Sequence, residues 1–198
     1  MAEANRYRCD WPGDDPLMIR YHDEEWGVPV HEDRKWFEFL VLDAFQAGLS
    51  WKTVLHKRRA LGRVFYDFDP ERVAAMPPEA QKAAIENPAI IRNRLKIAAA
   101  VKNAAAFLRL QRKHSSFDAF IWSFTSGQVV QNSWTHLHQV PASTPLSDAV
   151  SRRLKSEGFS FVGTTICYAL LQAGGIVNDH LSGCFRHAQL LGADVPRS

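Results

Sequence analysis

Apolar residues recur along most of the chain at the three- to four-residue spacing of helices that bury one face. Capping residues, prolines and glycines divide this pattern into separate segments, as they do at helix boundaries. The helices predicted in this way begin at Asp33, after Gly48, at Asp69-Pro70, at Pro77-Pro78, at Asn87-Pro88, at Ser116, at Thr144-Pro145 and after Gly163. No segment alternates convincingly between apolar and polar residues, so the sequence predicts an all-α fold.

Two stretches lack helical periodicity. Residues 1–30 are irregular by this criterion, and residues 125–143 form a second loop-like stretch with one predicted helical turn around His136. The first stretch holds Trp11, Tyr21 and Trp26, which is many aromatic side chains for a loop. These rings either pack the loop onto the core or line a cavity.

One acidic residue falls on a face that should be buried. The helix from Asp33 to about Gln46 has Trp36, Leu40 and Ala47 along one stripe, and Asp43 lies on the same stripe. A carboxylate there is costly unless it is hydrogen-bonded or serves a site. It either has a functional role, or it caps the turn at Gly48 or pairs with a buried arginine.

Two glycines, Gly158 and Gly163, bracket a short link between two predicted helices near the C-terminus. The first helix has Leu146, Val150 and Leu154 on one face, and the second runs to Gly174-Gly175. Unpaired backbone N–H groups at the start of the second helix would suit a phosphate group. The alternative is an ordinary turn between two packed helices.

Two Cys/His pairs lie at the two ends of the chain. Cys9 and His22 form one pair, and His180 and Cys184 form the other, at a spacing that makes them neighbours if the segment is helical. A Cys₂His₂ set suits a closed tetrahedral zinc site. The spacing is not that of a zinc finger, so a buried thiol and a core histidine remain the alternative.

Composition and charge narrow the class of protein. A chain of 198 residues with 46% hydrophobic and 23% charged residues is typical of a soluble globular protein. Three cysteines and the lack of a secretory signal favour a reducing cytoplasm, and no apolar run predicts a membrane span.

The net charge of +3 is unevenly distributed. Residues 10–43 hold ten acidic and three basic residues, so this part carries −7 and the remainder +10. The basic cluster Arg152-Arg153-Lys155 directly precedes the glycine-bounded link, where a polyanion could use it. Charged helix faces are often merely solvated, so the cluster supports nucleic-acid binding without establishing it.

Long sequence blocks resemble a known family. They are RCDW (8–11), YHDEEWGVP (21–29), QAGLSWKTVL (46–55), IIRNRLKI (90–97), FIWSF (120–124), GFSFVGTTICY (158–168) and QAGGIVNDH (172–180). In these blocks the chain resembles the DNA-3-methyladenine glycosylase I family of the helix-hairpin-helix superfamily. The resemblance implies one glycosylase unit over 1–198. It comprises a zinc and base-pocket segment at about 8–60, a helical middle at about 61–143, a hairpin and zinc segment at about 144–184, and a tail at 185–198.

The resemblance implies hydrolysis of the bond between deoxyribose and 3-methyladenine in alkylated DNA, by base flipping and with an abasic site as product. It places Trp51 on the flipped base, Tyr21 in the pocket wall, and Trp11 and Trp26 at the rim. Asp43 stands where the family usually has a glutamate that reads the base. The catalytic residues implied are therefore Asp43 and Tyr21.

Met18 departs from the family pattern, because an aromatic residue is usual at this position of the pocket. The departures at Asp43 and Met18 bear on substrate preference and rate. They leave two alternatives open: a module that binds alkylated DNA without cleaving it, and a glycosylase for another alkylated purine.

The resemblance also implies a structural zinc ion held by Cys9, His22, His180 and Cys184, which would join the two ends of the chain. The resemblance further implies that the protein is a monomer whose partner is double-stranded DNA with alkylated bases. It implies no membrane partner. The wedge that enters the duplex would be Gly48 and Leu49. The remaining DNA contacts would come from Gly158, Phe159, Val162, Gly163, Thr164 and Thr165.

The residues after the hairpin indicate the type of glycosylase. Some relatives carry a lysine there that forms a Schiff base, whereas this chain has Thr164 and Thr165. The sequence therefore predicts a monofunctional glycosylase. Asp179, next to His180, is predicted to support the metal site or to cap a turn.

Overall fold

A computed structural model describes residues 6–192, which fold into a helical protein. In chain order the α-helices are α1 (Pro16–Glu24), α2 (Asp33–Gln46), α3 (Trp51–Val64), α4 (Pro70–Ala74), α5 (Pro78–Glu86), α6 (Arg94–His114), α7 (Phe117–Trp122), α8 (Pro145–Ser156), α9 (Thr164–Ala173) and α10 (Phe185–Leu190). Short 3₁₀ helices cover Tyr66–Phe68, Ser123–Thr125 and Leu137–Gln139. Within 6–192, no helix is both long enough and apolar enough to cross a bilayer. The end of the predicted tail, 193–198, lies outside the described residues.

A pair of very short strands departs from the all-α prediction. Strand β1 (Val130–Gln131) pairs in parallel with β2 (Val177–Asn178), with Val130 opposite Val177. Two residues are too few to show an alternating pattern, so the sequence did not reveal the strands. The pairing ties the irregular stretch before α8 to the segment after α9.

Helix α2 lies at the centre of the hydrophobic core. It contacts α3, α6, α7 and α9, and Trp36, Phe37 and Phe45 on it are fully buried. The Trp36 ring packs so closely on Gly174 that a Cβ there would lie 2.0 Å from the ring. Glycine is therefore required after α9 for the two helices to approach each other.

The predicted start of α6 at Asn87 is wrong. Asn93 is the capping residue, since its side chain accepts hydrogen bonds from the backbone N–H groups of Leu95 and Lys96. Asn87 instead caps a tight turn by accepting from Ala89 N. Leu95, in the first turn of this helix, is 65% exposed. Ala98 is also exposed, and the buried positions in the first two turns are Lys96, Ile97, Ala99 and Ala100.

Asp33 caps a helix other than the one predicted. It is the first residue of α2, but its carboxylate accepts from the backbone N–H groups of Phe117 and Asp118 at distances of 2.9 and 2.8 Å. Asp33 thus stabilises the start of α7. Because residues 33 and 117 are far apart in sequence, local pattern does not reveal this contact.

Lys96 closes the C-terminal end of α2. Its Nζ donates to the carbonyl oxygens of Phe45 at 2.7 Å and Ala47 at 2.6 Å, directly before the turn at Gly48. Burial lowers the pKa of Lys96. The cation therefore satisfies two helix-end carbonyls at the negative end of the helix dipole.

We expect Lys96→Met to destabilise the fold by about 1–3 kcal/mol, because two carbonyls lose a charged donor. Urea unfolding monitored by circular dichroism measures the change. Lys82→Met, at an exposed position on α5, is the control. Equal urea midpoints for the two variants would contradict a capping role for Lys96.

Candidate functional site

A cavity of about 340 Å³ opens at the surface between four parts of the chain. The N-terminal segment supplies Trp11, Tyr21 and Trp26, and the α2–α3 junction supplies Asp43, Gln46 and Trp51. Helix α9 contributes Thr165, Tyr168, Ala169, Gln172 and Ala173, followed by Asp179. The segment 137–142, which follows the strand β1, covers the remaining side with Leu137, Val140, Pro141 and Ala142.

Aromatic rings form one wall of this cavity. The ring centroids of Tyr21 and Trp51 are 5.0 Å apart, and those of Trp11 and Trp26 are 5.1 Å apart. The indole N–H groups of Trp11 and Trp51 are buried without an acceptor among the described residues. Such a wall can stack on a flat ligand, attract a cation with its ring faces and donate two further hydrogen bonds.

Met18 does not line this cavity, in contrast to the sequence prediction. It lies one helical turn before Tyr21 on α1 and is 6% exposed, packed in the hydrophobic core. Tyr21 belongs to the same core cluster but also lines the cavity, whereas Met18 contributes to the packing beneath it.

Asp43 combines burial with the lack of a partner. It lines the cavity and is 2% exposed, and its Oδ2 accepts no hydrogen bond from the described residues. Burial therefore raises the pKa of Asp43 well above its usual range. Neither structural alternative holds in the described part of the chain, where Asp43 neither caps the Gly48 turn nor pairs with an arginine.

Asp179 is the second carboxylate of the cavity, and unlike Asp43 it accepts several hydrogen bonds. Its two oxygens accept from Asn132 Nδ2 (2.7 Å), Trp134 Nε1 (2.7 Å), Tyr168 OH (2.5 Å) and Gln172 Nε2 (2.7 Å). Tyr168 and Gln172 line the cavity, whereas Trp134 packs against Cys9 and Cys184. Asp179 is thus linked to the cavity and, through Trp134, to the Cys/His cluster, so its predicted support of the metal site stays a prediction. Asp179 joins α9 to the segment after β1, which positions the cover of the cavity.

The four Cys/His residues predicted as metal ligands lie together and are buried. The ligating atoms of Cys9, His22, His180 and Cys184 all lie within 4.8 Å of one another. His22 Nε2 is 3.1 Å from His180 Nδ1 and 3.5 Å from Cys184 Sγ. The 180–184 segment is a turn, in which Cys184 N donates to Leu181 O, and this turn brings His180 and Cys184 together without a helix.

Neighbouring groups hold the two imidazole rings. His22 Nδ1 contacts Asp23 Oδ1 at 2.7 Å, and Arg8 pairs with Asp23 through two hydrogen bonds. His180 Nε2 lies 2.9 Å from the carbonyl oxygen of Trp26. Each ring therefore turns its other nitrogen toward the two sulfurs, as in metal sites whose histidines are oriented by an acceptor.

The geometry of this cluster fits a tetrahedral metal ion. Zinc bonds of about 2.0–2.3 Å separate tetrahedral ligand atoms by about 3.3–3.8 Å. The distance from His180 Nδ1 to Cys184 Sγ is 3.7 Å, and that to Cys9 Sγ is 3.9 Å. The cluster could hold a metal ion, and the Trp26 carbonyl connects it to the cavity wall.

The glycine hairpin (158–163) joins α8 to α9. Gly158 has φ +92°, a conformation that side chains disfavour. The first backbone N–H donor within α9 is that of Cys167, which bonds Gly163 O, so the earlier N–H groups have no partner within the helix. Thr164 is nevertheless anchored, since its hydroxyl contacts Asp148 Oδ1 at 2.5 Å.

Two side chains that the sequence assigned to DNA contact are buried in the hairpin. Phe159 is 5% exposed and Val162 is 3% exposed, and Ser151 Oγ donates to Val162 O at 2.6 Å. Their apolar side chains attach the hairpin to the core, so only their backbone can face a ligand. Thr165 is exposed and lines the cavity, so its predicted contact with DNA stays a prediction.

The turn between α2 and α3 lies beside the cavity. Gly48 has φ +77°, and Leu49 is 41% exposed. Leu49 N donates to the carbonyl oxygen of the cavity residue Gln46 at 2.6 Å. The turn therefore presents an apolar side chain to solvent next to the opening.

The family model described as methyladenine glycosylase matches residues 11–187. The chain belongs to the methyladenine glycosylase family. The match includes the aromatic wall, Asp43, the glycine hairpin and three of the four residues of the metal cluster; Cys9 precedes it.

Relatives agree with membership of this family along nearly the whole chain. DNA-3-methyladenine glycosylase 1 of Escherichia coli strain K12 is 49% identical over 177 residues, which are 89% of this chain and 95% of that protein. A crystal structure of 3-methyladenine DNA glycosylase I has 51% identity and a TM-score of 0.88, covering 90% of this chain and 98% of that chain. A variant of 3-methyladenine DNA glycosylase I in complex with 3-methyladenine has 32% identity and a TM-score of 0.87, covering 90% and 96% of the two chains.

Proposed function

We propose that this protein is a DNA-3-methyladenine glycosylase of base-excision repair, which hydrolyses the N-glycosidic bond of 3-methyladenine in alkylated DNA. The observation that carries the proposal is the cavity, where an aromatic wall meets the buried carboxyl group of Asp43, whose Oδ2 has no partner in the described part of the chain. Its size suits one flipped base. A relative of the same fold binds 3-methyladenine, which supports the same ligand here.

Recognition of the base uses stacking and hydrogen bonds. Trp51 stacks on the flipped base, Tyr21 closes the wall beside it, and Trp11 and Trp26 shape the rim. 3-Methyladenine is cationic in the nucleotide, so the ring faces and Asp43 attract it, whereas they gain less from a normal adenine. Asp43 reads the base edge with Oδ2, which has no hydrogen-bond partner among the described residues.

Bond cleavage exploits the weak bond between a cationic base and the sugar. The bonding electrons leave with the base, which becomes neutral, and the sugar becomes a cation that a water molecule attacks at C1′. The water then loses a proton, and the products are free 3-methyladenine and an abasic site. Because the leaving group is good, catalysis rests on flipping the base and holding it in the cavity, with Asp43 and Tyr21 as the catalytic residues.

The enzyme acts as a monofunctional glycosylase. Schiff-base chemistry requires an amine nucleophile beside the sugar. The described residues that line the cavity include no lysine, and threonines follow the hairpin. The product strand is therefore expected to remain uncut.

The Cys/His cluster would hold a structural zinc ion. Cys9, His22, His180 and Cys184 supply four protein ligands, so no coordination position remains for a catalytic water. A zinc ion there would tie the N-terminal segment, with its aromatic wall, to the segment after α9.

The DNA-binding side combines the hairpin and a wedge. The backbone of Gly158, Gly163 and Thr164 binds a phosphate group as a helix-hairpin-helix element. Gly48 and Leu49 enter the duplex at the position that the flipped base has left. The chain 1–198 is one glycosylase unit. Its zinc and base-pocket segment lies near 8–60, its helical middle near 61–143, and its hairpin and zinc segment near 144–184. It acts as a monomer in the cytoplasm, on double-stranded chromosomal DNA.

Release of free bases from methylated DNA tests the proposal. We expect the purified protein to release 3-methyladenine and the Trp51→Ala variant to be about 10- to 100-fold slower, because stacking on one base is lost. Trp51→Phe, which keeps a stacking ring, is the matched control and should retain most of the activity. Chromatography of the released bases measures the rates.

Each contrary result identifies one of the alternatives. A folded protein that binds methylated DNA but releases no base would be a non-catalytic binding module. Release of a different purine, without 3-methyladenine, would make it a glycosylase for another lesion. Equal rates for Trp51→Ala and the wild type would remove Trp51 from the base-binding site.

A further inference from the structure

An exposed leucine at the opening of the cavity has no role in the proposed recognition of the base. Leu137 is 48% exposed although its side chain lines the cavity. It begins the 3₁₀ helix Leu137–Gln139, while Val140 and Pro141, which follow, form the inner cover. Leu137 therefore lies at the rim, partly in the cavity and partly in solvent.

The turn that carries Leu137 is held in place by Gln139. The side-chain oxygen of Gln139 accepts from Thr135 N (2.8 Å), Thr135 Oγ1 (3.0 Å) and His136 N (3.0 Å). The backbone closes the same turn, since Val140 N donates to Leu137 O at 3.1 Å. These bonds fix the backbone on both sides of Leu137, so its apolar side chain is displayed in a defined position.

A second exposed leucine borders the same cavity from another part of the chain. Leu49 is 41% exposed in the α2–α3 turn, next to Gln46 and Trp51. Leu137 lines the cavity, and Leu49 lies in the turn between the cavity residues Gln46 and Trp51, so two separate segments beside the opening each carry an exposed leucine. A base can enter the cavity only past this opening, which brings its neighbours in the duplex to the rim.

We infer that Leu137 is a second wedge residue, which packs against the bases that flank the extruded nucleotide in duplex DNA. The inference rests on the proposed function, because it assumes that a flipped base occupies the cavity. Apolar side chains stabilise unstacked base steps by covering the base surface that flipping exposes. Burial of the Leu137 side chain against bases also removes apolar area from water.

The test compares base release from methylated duplex DNA with release from the same DNA after denaturation. We expect Leu137→Ala to release 3-methyladenine about tenfold more slowly from the duplex, since most of the apolar contact of one leucine is lost. On denatured DNA, where no stacked neighbours need support, the rate should stay within about twofold of the wild type. Leu137→Met should restore release from the duplex. Leu191→Ala, at a leucine that is 55% exposed beyond α10, is the control for loss of an exposed leucine elsewhere.

A binding measurement tests the contact without catalysis. A duplex that contains an abasic-site analogue next to 2-aminopurine reports stacking of that base through its fluorescence. The wild type and Leu191→Ala should change the fluorescence on binding, and Leu137→Ala should bind without this change. A change that depends on Leu137 would support the contact even if the wild type released no base, in which case the proposed function alone would fail.

Two results would overturn the inference. Equal losses on duplex and denatured DNA would make Leu137 a wall of the base pocket. Unchanged release on both substrates, together with an unchanged 2-aminopurine signal, would leave Leu137 without a role in DNA binding.

Discussion

Asp43→Asn is expected to stabilise the fold while it lowers base release. Burial raises the pKa of Asp43 well above its usual range, and its Oδ2 has no partner among the described residues. A carboxyl group with a raised pKa in the folded state favours folding fully only below its unfolded pKa, and this stability is lost as the pH rises through the folded pKa. The neutral amide avoids that penalty, so the variant should be about 0.5–2 kcal/mol more stable near neutral pH.

Base release should respond in the opposite direction. The variant cannot ionise beside the cationic base, whose charge favours the carboxylate form of Asp43, and it presents an altered donor–acceptor pattern to the edge of the base. We therefore expect release of 3-methyladenine to fall by at least about 100-fold. Gain in stability with loss of activity is the signature of a residue retained for function.

Thermal unfolding between pH 5 and pH 8, roughly the range in which most proteins are most stable, measures the change in stability. Single-turnover base release measures the change in activity. The stability difference between variant and wild type should widen as the pH rises, because only the wild type carries the raised pKa. Asp14→Asn, at an exposed position, is the control. A variant that is less stable than the wild type, or fully active, would make Asp43 a structural carboxylate.

Loss of a metal ligand is expected to have the largest effect on stability. Cys184→Ser should abolish stoichiometric zinc binding and destabilise the fold by more than about 4 kcal/mol, because metal-binding energy is folding energy in such a site. Cys9→Ser should act similarly and free the N-terminal segment. A chelator should lower the unfolding temperature of the wild type but not that of the variants.

Metal analysis and thermal unfolding with and without chelator test this expectation. The matched control is Cys167→Ser, which changes a buried thiol on α9 outside the cluster. Its zinc content should equal that of the wild type. A Cys184→Ser protein that keeps zinc and is no less stable than Cys167→Ser would refute a metal site at these residues.

Several features of the molecule follow from residues that are close together in sequence. Thr144 caps α8 as its position before Pro145 indicated, and α9 begins directly after Gly163. Asp43 is buried because it shares the helical stripe of Trp36 and Leu40, which the spacing alone revealed. Cap chemistry, proline and glycine conformations and helical periodicity all act over a few residues, so the sequence shows them directly.

The Cys/His cluster could be predicted only in part from residues that are close together in sequence. Spacing within the sequence left the metal site undecided, and the resemblance to a family selected Cys9, His22, His180 and Cys184. The structure brings their ligating atoms within 4.8 Å, across a separation of more than 150 residues between His22 and His180.

Local sequence patterns predicted most of the helices from α2 to α9, the buried position of Asp43 and the family, but not α1, which lies in the stretch 1–30 that lacks helical periodicity. Only packing revealed that Asp33 caps α7, that Met18 enters the core, that four donors converge on Asp179, and that the exposed Leu137 lines the cavity. The difference lies in the distance along the chain over which each interaction acts. A helix cap or an apolar stripe depends on neighbours within one or two turns, whereas the partners of a buried carboxylate or a cavity wall are chosen by how distant segments pack.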